Sequence, residues 1–164
     1  ELGIDPEEIE KIETPEDYDP KDHPLYKKAY NLAFTIQKWL DANKPGNILP
    51  DVPDIISSDK NQRFLDSVDV IYWYNFFIAS KIYRALIGPD EDERDEIQTD
   101  SNGSAKIALI GLDRLIASWS VVMENIMDHQ DEILNILTTL AEIRKQTEAT
   151  FPLARKFKRP GFDG

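Results

Sequence analysis

At 164 residues the chain has room for one compact domain with an additional arm, and not for two full domains. Its 41% apolar residues, with 3 Trp, 6 Tyr and 7 Phe, are enough to build a core and exclude global disorder. The absence of cysteine excludes disulfide frameworks, thiolate metal sites, iron–sulfur clusters and cysteine nucleophiles, and a net charge of −12 opposes the counterion release that drives binding to nucleic acid.

Residues 1–21 combine Pro6, Pro15 and Pro20 with dense acid, which predicts an extended acidic arm, with one or two helical turns at most over Glu7 to Ile12. The first helix is predicted to start at Asp22 as N-cap with Pro24 in its opening turn. Leu25, Ala29, Leu32, Ile36 and Trp39 then step by four and three, the spacing of one buried face. The pattern stops at Pro45-Gly46, and residues 45–57 carry three prolines, as a crossover connection does. Ser57, Ser58 and Asp59 offer caps for a second helix of about 30 residues and about 45 Å, with Phe64, Val68, Ile71, Ile78, Ile82 and Ala85 on its seam and Gly88-Pro89 at its end. An acidic loop is expected from Asp90 to Gly103. Its Asn102-Gly103-Ser104 fits a glycosylation acceptor and reads more simply as the turn before a third helix capped by Ser104.

That third helix carries Ala108, Leu112, Leu115, Trp119, Val122 and Ile126, with Gly111 and Ser118 seven apart on a neighbouring face where small residues admit a close neighbour. A fourth periodic stretch runs through Ile133, Leu137, Leu140 and Ile143 to Pro152. No glycine or proline separates the third and fourth stretches, so either Asp128 caps a new helix or one helix exceeds 40 residues; the break is favoured because so long a helix outgrows a domain of this size. No strand-type alternation occurs. The expected fold is all-α, an antiparallel four-helix bundle over residues 22–152, with the acidic arm before it and a basic tail at 153–164.

Charge is unevenly placed. Residues 1–23 hold ten acidic and two basic side chains, residues 90–100 seven and one, so the other 130 residues are slightly positive at +2. The basic end includes Arg144, Lys145, Arg155, Lys156, Lys158 and Arg159, and can meet an acidic surface, including the acidic arm of its own or a neighbouring chain. The longest uncharged run, Val70 to Ser80, is 11 residues, well short of the ~20 that span a bilayer, so no membrane partner is expected. The chain opens Glu1-Leu2-Gly3-Ile4 with neither an initiating methionine nor an apolar signal core, which reads as a chain shortened upstream; a cytoplasmic location is expected.

The most unusual local feature is Tyr72-Trp73-Tyr74-Asn75-Phe76-Phe77. At 100° per residue these six positions cover more than one turn, so the five aromatics cannot all face one core. Trp73, Tyr74 and Phe77 are the predicted anchors of an interaction surface, with Arg155, Lys156, Lys158 and Arg159 as a secondary electrostatic contact, and Asn75 is the predicted buried polar residue that fixes register or pairing. Chemistry-bearing alternatives are thin. Neither histidine follows a glutamate by three residues, as a di-iron bundle requires. Asp128, Asp131 and Glu132 would repel a phosphoryl group at His129. Asp92, Glu93 and Glu96, or Asp128, His129 and Glu132, are the carboxylate-rich groups that could hold a divalent cation. The leading expectation is therefore a non-enzymatic bundle acting by protein–protein interaction or homo-oligomerisation, with no cofactor. The alternatives are a metal-dependent, nucleotide pyrophosphatase-like bundle enzyme and a bundle that binds a small apolar ligand.

Overall fold

A computed structural model describes residues 19–45, 57–87 and 94–156. Four helices account for nearly all of them: α1 (Pro24–Asn43), α2 (Ser57–Leu86), α3 (Arg94–Asn125) and α4 (Gln130–Thr150). Side-chain pairs set their directions. Tyr26 meets Tyr83 and Phe34 meets Phe76, so α1 and α2 are antiparallel; Ser101 with Ala85 and Arg114 with Tyr74 do the same for α2 and α3. Arg144 with Asp113 and Lys28 with Glu142 close the ring through α4. The architecture is an antiparallel up-and-down four-helix bundle, and every residue of the predicted seams of the first three helices is buried. In α4 the expectation is off by one position: Ile136 is buried and Leu137 is half-buried at the rim.

Local chemistry explains the ends. Asp19 accepts from the Lys21 amide at 2.9 Å and caps a 3-10 turn over Pro20–Asp22, and the N-cap of α1 is His23, not Asp22: its Nδ1 accepts from the Leu25 amide at 3.1 Å. Pro24 then stands where its missing N–H costs nothing. Lys44 ends α1 in the left-handed region, φ 41°, with its amide donating to the Leu40 carbonyl. Residues 46–56, most of the expected crossover, lie outside the described residues, as do residues 1–18 of the arm.

The expected loop from Asp90 to Gly103 is the main correction. Helix α3 begins at Arg94, so Asn102-Gly103-Ser104 is helical and Ser104 is a buried interior residue instead of a cap. Packing outweighs the ~1 kcal/mol propensity cost of Gly103. Ala105 is fully buried, and the Ser101 hydroxyl donates to the Ala85 carbonyl, one of the last-turn acceptors of α2 that lack a partner within their own helix.

The break between α3 and α4 falls in the favoured place, by a different device. His129 takes the left-handed conformation, φ 65° and ψ 22°, and precedes α4 without a side-chain cap; Asp128 is an exposed turn residue. Gln130 supplies the stop signal that glycine or proline usually gives. Its Nε2 donates to the Met123 carbonyl at 2.9 Å and to that of Ile126, satisfying the orphan acceptors at the end of α3.

Gly111 lets α2 and α3 approach closely. A Cβ built there would collide with Ile78 Cδ1 and lie 3.0 Å from the Tyr74 ring, so α2 lies against α3 where no other residue fits without a shift. Asn75 is buried and ties α2 to α1, its Nδ2 donating to the Ala33 carbonyl at 2.8 Å. Its Oδ1 finds no donor and borders a cavity of about 10 Å³ among Ala29, Ile78, Leu112 and Leu140, room for no more than one water molecule. At the other end of the core, Trp39 and Trp119 meet edge to face at 5.3 Å and 72°.

Candidate interaction surface

The run from Tyr72 to Phe77 wraps around α2, and its residues part company accordingly. Asn75 points into the core. Tyr74 turns toward α3, and Phe77, half-buried like it, meets its ring edge to face at 5.5 Å. Arg114 lies 5.5 Å over the Tyr74 ring and donates to its hydroxyl, while the Lys81 ammonium sits 5.2 Å from the Phe77 ring centre. These two predicted anchors are largely engaged within the chain. Trp73 is different: it stands on the crest of α2 with 78% of its surface exposed.

On the other side of that crest the structure brings together aromatics that the sequence reading did not single out. Tyr72 and Phe76, one turn apart, face the α1 side, and α1 contributes Tyr26, Tyr30 and Phe34 at successive four-residue steps. Tyr26 stacks on Tyr30 at 5.6 Å, Tyr30 meets Phe34 at 5.0 Å, and Phe34 meets Phe76 edge to face at 5.5 Å. Tyr30, Phe34, Tyr72 and Phe76 all remain between 39% and 48% exposed. The result is a band of rings across α1 and α2, with Tyr72 and Trp73 exposed beside it on α2. The signal was available: Tyr26, Tyr30 and Phe34 form a second stripe beside the seam of Leu25, Ala29, Leu32 and Ile36. Periodicity gives the stripe but not its neighbour on α2.

The basic C-terminal region divides. Arg155 is bound within the chain: it donates to Glu148 at 2.6 Å and approaches Asp113 at 3.7 Å, while Arg144 holds the same Asp113 at 2.6 Å. The hydrogen bond to Glu148 is the main reason its guanidinium pKa is raised further. This network pins a 3-10 turn, Ala154–Lys156, against the bundle with Ala154 fully buried, so residues 154–156 are docked and not part of a solvated tail. Lys156 is exposed; Lys158 and Arg159 lie outside the described residues.

His129 lies edge to face against Trp39 at 6.2 Å and 3.6 Å from Glu132, at a solvated turn with Asp128. Of the other candidate cation ligands, Glu96 falls on α3 instead of a loop, and Asp92 and Glu93 lie outside the described residues. Among the described residues no three histidine or acidic side chains converge on a point, and no helix is long and apolar enough to cross a membrane. Comparison with protein-family models, with curated proteins and with solved structures finds no match.

Proposed function

We propose that this chain is a non-enzymatic helical-bundle interaction domain, and that it binds protein through the aromatic band of α1 and α2. The observation that carries this reading is Trp73, 78% exposed at the edge of four further part-exposed rings on one face. Aromatic side chains bury roughly 150–250 Å² each when covered, and tryptophan and tyrosine recur where interfaces concentrate their binding energy. The rest of the bundle is built to hold the band rigid. Asn75 locks α2 to α1 directly beneath it, and Gly111 seats α2 on α3, so the rings require little ordering on binding. The geometry gives less to an apolar-ligand site: the core cavity admits no ligand larger than water, the groove of about 350 Å³ between α2 and Ser118 of α3 is lined mostly by polar side chains such as Asp59, Arg63 and Asp66, and the band is an open surface instead of an enclosed pocket.

The test is association with and without the band. Light scattering during gel filtration, at two protein and two salt concentrations, reports self-association of the 18.8 kDa chain, and affinity capture reports other partners. The Trp73→Ala/Phe76→Ala double variant should keep its helical signal and a cooperative melt, lowered by a few degrees for the lost Phe76 ring contacts, while losing that association. Association unchanged in a folded double variant overturns the proposal.

A further inference from the structure

We infer that the partner of the aromatic face is a second copy of this chain, docked about a two-fold axis parallel to the helices, so that α1 of each copy lies on α2 of the other. The inference rests on reading the band as a docking surface, and area and charge choose this occupant.

Among the described residues, every exposed aromatic ring, Tyr30, Phe34, Tyr72, Trp73 and Phe76, lies on α1 or α2. Each ring offers roughly 150–250 Å² when covered, and the five stand about half exposed on average, so together they present on the order of 500 Å². A stable interface takes about 800 Å² from each partner. The rings provide more than half of that, and exposed Lys27, Asn31, Lys38, Asp69 and Ser80 supply flanking surface. In a two-fold pair the same patch is covered on both copies, and rings that meet edge to face within one chain can do so between two.

The face also carries both halves of an ion pair that the chain does not make within itself. Lys38 is exposed one turn after Phe34 on α1, and Asp69 is exposed one turn before Tyr72 and Trp73 on α2. The hydrogen bond from Asn75 to Ala33 sets the level of the two antiparallel helices. Lys38 is five residues beyond Ala33 and Asp69 six before Asn75, so the two stand at one height to within about one residue's rise, ~1.5 Å. Among the described residues neither is in an ion pair.

Symmetry turns this into a choice of geometry. A two-fold axis parallel to the helices keeps every residue at its height while exchanging α1 for α2, and so sets Lys38 against the partner's Asp69 twice in each dimer. Lys27 is then level with the partner's Ser80, with Arg84 one turn further along, so the charge match is made at the Lys38 end. An axis across the helices would lay α1 on α1. Lys27 and Lys38 lie five and six residues from the midpoint of Tyr30 and Phe34, so that arrangement would set each against the other lysine of the partner.

The test uses the full chain and two single variants at exposed positions, Lys38→Glu and Asp69→Lys, each checked for parent helical signal. Light scattering gives dimer affinity, and native mass spectrometry separates mixed dimers from like ones. The parent should be a dimer, and each variant alone should dimerise about tenfold more weakly, because both contacts then join like charges. Mixed in equal amounts, the two variants should regain parent affinity as a mixed dimer, since each contact again joins opposite charges. A monomeric parent overturns the inference, and so does a dimer whose affinity neither single variant lowers or whose variants do not recover on mixing. The docking reading is judged separately: it stands if Trp73→Ala/Phe76→Ala abolishes whatever association the parent shows, and falls if that association is unchanged.

Discussion

Trp119 and Trp73 share a residue type and a helical setting, yet one is fully buried and the other 78% exposed. Trp119 sits on the seam of α3, meets Trp39 edge to face, and lies where helices converge. Trp73 sits opposite the seam of α2, with solvent on its outer side. The interior pair has a structural explanation in what it fills. The exterior band has none within the described fold, since rings that stabilise one another at 5.0–5.6 Å still leave their outer faces to water. Aromatics in the first place hold the bundle together; in the second they are available to something else.

The largest effect that would break this contrast is at Trp119. Its change to alanine should cost about 3–5 kcal/mol of folding stability by deleting a packed side chain, whereas Trp73→Ala should stay within about 0.5 kcal/mol, both read from thermal or urea melts. Equal losses at the two positions would refute the division. Asn75→Asp comes next. A carboxylate at a position 4% exposed, beside the Ala33 carbonyl and with no cation near, favours its neutral form, so its pKa rises above the ordinary ~3.9. The folded state then binds more protons than the unfolded, and the penalty is absent below about pH 4 and grows as pH rises above it. Urea midpoints at pH 4 and pH 7, compared with the parent, check both sign and size.

Gly111→Ala sharpens the comparison at the seat of the band. The added methyl meets Ile78 and Tyr74 and should lose about 1 kcal/mol net, even though alanine gains about as much in helix propensity. Ile78→Val in the same chain should recover part of the loss by vacating the atom it strikes, a result that ties the cost to this contact. The smallest expected effect is Arg155→Ala. Its ion pairs with Glu148 and Asp113 are solvent-exposed, so the loss should not exceed about 1 kcal/mol and should fade in 1 M salt. A larger, salt-resistant loss would mean that the docked turn at Ala154 depends on that residue alone.

Much of the fold was legible because helical burial repeats. Leucine, isoleucine and tryptophan at four- and three-residue steps mark a buried stripe wherever the helix packs, and those seams are the core. The ends were less legible. His23 caps α1 where aspartate is the commoner choice, and Gln130 stops α3 through a side chain reaching back over the turn, a device with no fixed sequence signature. The stretch from Arg94 to Gly103 reads as a loop by composition and is helical where Ser101, Ser104 and Ala105 pack against the end of α2. At the candidate surface, sequence isolated Trp73 and Asn75 by angular position alone. It placed Tyr74 and Phe77 with Trp73, although Tyr74 packs against α3 at Gly111 and Arg114, and Phe77 is half-buried against the Tyr74 ring and under Lys81 of its own helix.

By itself the sequence determined the all-α class, the four apolar stripes, the absence of thiol chemistry and the surplus of aromatics on one helix, because each follows from composition or from a period of 3.6 residues. Tertiary structure decided which stripes adjoin. Tyr30 and Phe34 join Phe76 because α1 and α2 run antiparallel in a register fixed by Asn75 and their shared core, and adjacency between distant segments is a property of packing that no local period encodes.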